Sequence, residues 1–255
     1  MNNRTISPDM KRALSGRSFL TGMVGMVLVI ALSSMEGIIG IVRTPTLLRN
    51  GYHAQFIMDA LSTDWVAVAL PILCALPYTT AFVDDIKSGF IRQYLYRSGT
   101  PAYIRGKLAA CALSGGLVLF MGIVLAYGVA ALVFTPMDLA LGPDEAVQPY
   151  FAQLLPRAAM LFFSGAFWSL AGFTFAALTM SRYMAYASPF ILYYVLIILC
   201  ERYFDGLYVL YPKEWLLPSK EWTLGGFGVI LLLAELMILL CLGFTIIAKR
   251  RLSNV

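Results

Sequence analysis

The sequence predicts an all-α polytopic membrane protein with six transmembrane helices, and three observations carry that reading. Six long apolar runs, 19–42, 65–82, 108–134, 158–180, 187–203 and 225–248, hold only two formally charged side chains, Glu36 and Glu235, when the fifth is counted to Cys200. Hydrophobic residues are 60% of the 255 and charged residues only 13%, where a soluble domain carries about a quarter. A hydrocarbon layer about 30 Å thick takes about 20 apolar residues as helix, and it offers the backbone no water. Each run therefore has to be helical. The fifth run is apolar only to Cys200 and borrows the next three residues to reach across. The gaps leave no room for a soluble domain, so residues 1–255 read as one transmembrane domain. The first run is too long for a signal-peptide core and reads as a retained anchor.

Charge placement orients the spans. With the amino terminus in the cytoplasm, thirteen of the nineteen Lys and Arg residues fall inside. That bias puts both termini in the cytoplasm. Trp65, Trp215 and Trp222 then sit at the outer boundary, where amphipathic rings belong. The net charge of +5 reports this topology and gives no reason to invoke nucleic acid. Cys74, Cys111, Cys200 and Cys241 lie one each in four spans and read as apolar fillers, not as bridges.

Ser7 followed by Pro8 reads as a helix start. Over 8–18, Met10 and Leu14 stand four apart among Lys11, Arg12 and Arg17. This is the pattern of an amphipathic amino-terminal helix lying on the inner surface, with a disordered basic tail as the alternative. Between spans two and three, Asp84 and Asp85 suit a helix start. Ile86, Phe90, Ile91, Tyr94 and Leu95 follow as an apolar stripe, with Lys87, Arg92, Gln93 and Arg97 on other faces. Gly99 stops this helix, Thr100 caps the next and Pro101 fits its first turn. The third helix thus begins well before Leu108, with Tyr103 and Ile104 exposed below the bilayer. The stripe presses on the membrane surface or on another protein.

Outside, 43–64 holds a weakly amphipathic piece (Gln55, Phe56, Ile57, Met58, Leu61) that skims the surface. The segment 135–156, with Asp138, Asp144 and Glu145, reads as an acidic loop. The segment 204–224 is too rich in aromatics and leucines to float, and reads as a re-entrant or interfacial piece between spans five and six. Steps of small residues, Gly165/Ser169 and Gly172/Ala176 in span four, Gly37/Gly40 in span one and Gly115, Gly116 and Gly122 in span three, mark close helix contacts.

Catalytic chemistry is mostly excluded. A single histidine, His53, cannot supply a paired-histidine zinc site. Six residues separate Gly99 from Gly106-Lys107 where a phosphate loop needs four, and Leu108 stands where Ser or Thr would bind magnesium. The chain reads as no enzyme, with no metal and no cofactor of its own. Glu36 and Glu235 are ionisable groups at membrane depth, which are functional candidates by default. The alternative for each is a neutral acid bonded to a neighbouring helix.

The region 81–124 resembles the type-2 ATP-binding-cassette transporter permeases, especially the bacterial single-domain exporters. The residues that carry the resemblance are Phe82, Asp85, Ser88, Gly89, Phe90, Ile91 and Arg92, then Arg97, Ser98, Gly99, Thr100, Pro101, Tyr103, Ile104, Gly106 and Lys107. Phe90 stands where that family often has Thr. The layout of six helices, surface helix and outer re-entrant piece is similar over the whole chain. The resemblance implies a cytoplasmic coupling helix over 85–97, with Asp85, Ser88, Gly89, Phe90, Ile91, Arg92, Tyr94, Leu95 and Arg97 docking into a partner ATPase that binds ATP and Mg. It implies a second permease copy or a homologous one, and a path between protomers with Leu70, Leu73, Leu76, Tyr78, Tyr193 and Tyr194 loosely nominated. It implies an outer gate with Tyr208, Tyr211, Trp215 and Trp222. The expected role is export of an amphipathic peptide, lipid or drug-like molecule across a bacterial plasma membrane. An ion-coupled or other multi-subunit transporter component, or a non-transporting immunity or scaffold protein, stands as the alternative.

Overall fold

A computed structural model of the chain describes residues 6–43, 48–91, 95, 99–138, 150–204, 206–218 and 222–253. It is helical, with no strand among the described residues beyond one isolated bridge between Leu48 and Asp138. The helices are α1 (Ile6–Leu14), α2 (Arg17–Ser33), α3 (Met35–Arg43), α4 (Tyr52–Leu61), α5 (Asp64–Ala75), α6 (Ala81–Lys87), α7 (Thr100–Phe134), α8 (Tyr150–Thr179), α9 (Arg182–Arg202) and α10 (Gly225–Leu252). Among the described residues, α7 to α10 are each long and apolar enough to cross a membrane. Two bent pairs raise the number to six when each pair is one crossing: 8–33, bent by 42°, and 52–75, bent by 76°.

Two of the apolar runs are not single helices. The run 19–42 divides at Ser34, where α2 ends and α3 begins. The hydroxyl of Ser33 donates to the carbonyl of Ile30, the back-bonding by which serine competes with the helix ladder. The run 65–82 divides over 76–80. Pro77 has no N–H to continue the ladder, and Thr79 turns its hydroxyl onto the carbonyl of Ala75. The third helix does start early, at Thr100, but Gly99 is its cap residue and Thr100 its first helical residue. The fourth also starts early, at Tyr150, so the end of the expected acidic loop is helix; 139–149 lie outside the described residues. Met180, with a positive φ of 54°, and Ser181 alone turn the chain from α8 into α9.

The helix α8 is the centre of the bundle. It packs against α7, α10, α9 and α5, and 72% of its apolar window is buried against 11% for α10. The expected small-residue contacts explain how close these helices come. A Cβ on Gly115 of α7 would stand 2.3 Å from the Ser169 Cβ and 2.9 Å from the Gly165 carbonyl of α8. A Cβ on Gly172 would stand 2.5 Å from the Ala185 carbonyl of α9. Gly37 marks no helix contact: its Cβ would meet only the Tyr52 hydroxyl, at 3.9 Å. All four cysteines are free.

At the end of the bundle away from the basic carboxyl terminus, α4 does not skim a surface. His53, Phe56, Ile57 and Leu61 are buried against the bundle, and Gln55 points out. His53 Nε2 lies 3.1 Å from the Tyr127 hydroxyl of α7. The expected re-entrant piece is a short 3-10 helix, Tyr208–Leu210, followed by turns over 212–216, folded as a cap onto α8. Trp65 is exposed, whereas Trp215 is buried against Phe167 and Trp168.

Replacing Gly115 with Ala forces α7 and α8 apart and should cost about 1–3 kcal/mol. Gly128→Ala on the same helix meets no atom within 4 Å and should cost nothing. Thermal unfolding of the two variants in detergent, side by side, checks the contrast.

Candidate functional site

Four charged side chains meet at the basic end of the bundle, where α1, α6 and α7 converge. Lys107 Nζ donates to Asp9 Oδ1 at 2.9 Å and to the Tyr78 hydroxyl at 2.9 Å, and stands 2.6 Å from Asp85 Oδ2. The three ammonium hydrogens are thereby all placed. Asp85 Oδ2 also accepts from the Tyr103 hydroxyl at 3.1 Å, and its Oδ1 accepts from Arg12 Nη1 at 2.8 Å. Tyr78 donates in turn to Asp9 Oδ1 at 2.7 Å. The two tyrosine rings flank the ammonium, with centroids 5.1 and 5.4 Å away.

This node is dry. Lys107 is 1% exposed, Asp85 2% and Asp9 5%, and Ala13, Phe82, Ile91 and Phe244 close around it in one apolar cluster. A buried ion survives only when paired and hydrogen-bonded, and here two cations face two carboxylates. Burial alone would push the Asp85 carboxyl up. Lys107, and then Arg12, outweigh that and hold it below the usual carboxylate range. Asp9 Oδ2 is the one node oxygen buried without a hydrogen-bond partner among the described residues.

The local sequence explains why the node can form. Asp9 follows Pro8 in the first turn of α1, so Asp9, Arg12 and Ala13 share one face at helical spacing. Thr80 opens α6, its hydroxyl bonded to Asp84 at 2.9 Å, and Asp84 pairs with Arg182 at the start of α9. Asp85 is then turned inward. In α7, Tyr103 and Lys107 stand four residues apart on the buried face. Both Tyr103 and Ile104 are buried, not exposed as the sequence suggested.

The expected coupling helix over 85–97 is not one helix. It is interrupted after Lys87: Ser88 ends α6, and Gly89 follows at φ 72°, its N–H bonded to the Ile86 carbonyl. This is the left-handed helix ending that glycine supplies without steric cost. Helix resumes at Phe90 and Ile91. The break sends the two neighbours opposite ways, since Ile91 is 0% exposed and Phe90 49%. The apolar stripe is therefore divided: Ile91 is core, Ile86 and Leu95 are half-buried against it, and Phe90 faces out. Arg92, Tyr94 and Arg97 lie outside the described residues. Ser88, Gly89 and Phe90 line, with Arg12 and Asp85, a cavity of about 510 Å³ beside the node.

The other candidates are placed elsewhere. Glu36 is exposed in the first turn of α3 and Glu235 midway along the outward face of α10, and neither lines the interior. Leu70, Leu73, Tyr78 and Tyr193 are buried in the chain's own core, so of the nominated path residues only Leu76 and Tyr194 are accessible. Tyr208 and Trp222 pack edge to face, and Tyr211 donates to Glu201 at 2.8 Å. Trp215 is a core anchor, its Nε1 donating to the Val209 carbonyl. The sequence reading missed Asp9 altogether. The available signal was that it is the one acid in a basic amino-terminal segment. No protein-family model matches the chain, and no curated protein matches it significantly.

Lys107→Met strands the Asp9 carboxylate and leaves Asp85 with Arg12 as its one cation, and should cost about 3–5 kcal/mol. Adding Asp9→Asn and Asp85→Asn removes the stranded charges and should recover more than half, as read from unfolding in detergent. The pH response has a definite sign. A carboxyl held below its unfolded value, about 3.9 for aspartate, stabilises the fold above that value and loses its effect as pH falls through the folded one. The melting temperature should fall below about pH 4. Asp85→Asn should melt lower already at pH 7 and lose less on acidification.

Proposed function

We propose that the chain is the permease subunit of an ATP-driven exporter, lying in a bacterial plasma membrane with both termini and the ionic node in the cytoplasm. One observation carries the reading furthest. The segment joining the second and third apolar runs is locked by Asp85 to α1 and α7, yet presents Phe90 outward beside a cavity. A segment so held transmits a push. Force on Ser88–Phe90 would pass through Asp85 into α7 by Lys107 and into α1 by Arg12. A separate ATPase, carrying ATP and Mg, would supply that force, because this chain has no phosphate loop of its own.

In this reading Phe90 is the docking residue among the described ones, with Ser88 and Gly89 at its side. The proposed wall of the path lies elsewhere than on the buried Leu70, Leu73, Tyr78 and Tyr193. The outward face of α9, with Ile191, Tyr194, Val195 and Ile198 exposed, is what a second permease would meet. An apolar, aromatic wall suits an amphipathic peptide, a lipid or a drug-like cargo. The cap over 208–218 would close its outer end, with Tyr208, Tyr211 and Trp222 as movable parts and Trp215 as the fixed anchor.

Phe90→Glu should leave the subunit folded in the membrane while the ATPase no longer co-purifies or loses stimulation by cargo. Retained association together with full transport would refute the docking role. Ile91→Glu would not test it, because that carboxylate would enter the core. The wider reading fails if vesicles holding this chain alone move cargo without a nucleotide-hydrolysing companion.

A further inference from the structure

Just past the end of α9 the chain folds back on itself. Helix stops at Arg202, Gly206 turns at φ 93°, and the Leu207 N–H bonds the Phe204 carbonyl at 3.1 Å. The cap then returns over the helix end. Tyr211 donates to Glu201 Oε1 at 2.8 Å, and Trp222 Nε1 donates to Glu214 Oε2 at 3.2 Å. Between helix end and cap lies a cavity of about 350 Å³, which is the size of a small-molecule site. Its walls are of two kinds. Glu201 and Glu214 supply carboxylates, while Phe204, Leu207, Tyr208 and Tyr211 supply apolar and aromatic surface.

That combination selects a ligand by charge and by shape. Two carboxylates in one cavity repel an anion. A hard metal ion asks for more ligands than they offer, and no group of three or more His, Cys, Asp or Glu among the described residues could hold one. An ammonium head on a short apolar stem matches both walls. Carboxylates take its N–H bonds, tyrosine faces attract its charge, and Phe204 and Leu207 cover the stem. Tyr211 and Trp222 already hold the two carboxylates in place, so binding need not order them. Glu201 Oε2 has no hydrogen bond among the described residues. The Tyr193 hydroxyl, buried and likewise unbonded among them, feels the charges of Asp64 and Glu201, and its oxygen is a further acceptor. One internal cation competes: Lys213 Nζ stands 3.0 Å from Asp64 Oδ1 and 3.9 Å from Glu201 Oε1. Asp64 and Glu201 share that single cation among the described ion pairs, and Asp64 holds it closer.

We propose that this cavity binds an organic ammonium ion, with Glu201 as its main counter-ion, Glu214 as the second and Tyr208 and Tyr211 against its charge. The same head occurs on free amphipathic amines and on ethanolamine lipids. A lipid head carries a phosphate beside the ammonium, which the two carboxylates repel, so the occupant is the free amine. Binding needs neither a motor nor movement of cargo, and the site does not rest on the transport reading.

The test is calorimetric titration of the full chain in maltoside micelles with hexylammonium at pH 7. Hexylammonium should bind, and hexanol, of the same length without the charge, should not. Glu201→Gln keeps an oxygen for Tyr211 and should weaken binding about ten-fold, the worth of a hydrogen bond to a charged group. Tyr208→Leu should weaken it about three-fold. Lys213→Met removes the competing cation and should tighten binding, a gain that a misfolded variant would not give. Hexanol binding as tightly as hexylammonium, an unchanged affinity in Glu201→Gln, or no gain in Lys213→Met would each overturn the proposal. Displacement of hexylammonium by an equal concentration of phosphatidylethanolamine would assign the site to a lipid head and overturn the choice of a free amine.

Discussion

The burial of one ammonium group governs the basic end of this molecule. Lys107 sits at a depth where no water reaches it, and the structure tolerates this only because Asp9 and Asp85 meet it within 3 Å. Those acids belong to helices far apart in sequence, so satisfying one cation fixes three elements at once. Arg12 then has to approach Asp85 to balance the second acid. Its place on α1 fixes how that helix lies against α7, and with it the 42° bend into the first long helix. The tyrosines fill part of the hydrogen-bonding capacity that the charges leave open, all but Asp9 Oδ2. Remove the ammonium and only the Arg12–Asp85 pair is left, tying α1 to α6, with no ion pair of the node reaching α7.

The gross fold was legible because hydrocarbon forces its hand. A run of apolar residues that must hydrogen-bond internally can only be helix, and α7 to α10 follow from that alone. The early start of α7 was legible too, from Gly99 and Pro101. Hydropathy could not see the breaks at Ser34 and 76–80, because Ser, Thr and Pro cost little on an apolar scale. Their effect is on the backbone ladder, and Pro77 was there to be read. The stripe Ile86–Phe90–Ile91 misled because periodicity assumes an unbroken helix. One positive φ at Gly89 rotates everything after it, so adjacent residues part company. Trp215 misled for a related reason: a Trp near a boundary suits an interface or a core, and only the neighbouring Phe167 and Trp168 decide between them.

The node was legible in its members and not in its meeting. Asp85 and Lys107 both stood out as residues of the segment leading into the third span, yet nothing local says that they touch. Asp9 lies 98 residues from Lys107, and no helical or strand period spans such a separation. What sequence does offer is an imbalance. A lysine one residue before a long apolar run will be drawn below the polar surface, and each buried cation needs acids from somewhere. The acids nearest that side in the described chain are few: Asp9, Asp84 and Asp85.

The chain's carboxylates show two answers to one problem. Asp9 and Asp85 are dry and are balanced from within, by side chains of the same polypeptide. Glu235 is equally remote from the polar ends of its helix, but the chain spends its inner cations elsewhere and turns this carboxyl outward. An acid balanced from within constrains the fold, and an acid on the outward face does not. The difference also follows the burial of the two helices concerned. The central position of α8 leaves it no outward stripe to offer, whereas α10, touching the bundle along a narrow face, offers nearly all of its circumference. Close glycine packing seats α8 against α7 and α9, whereas the outward face of α10 carries Leu and Ile side chains. A closely packed centre and an exposed apolar edge are therefore consequences of the same distribution of small, large and charged residues along the chain.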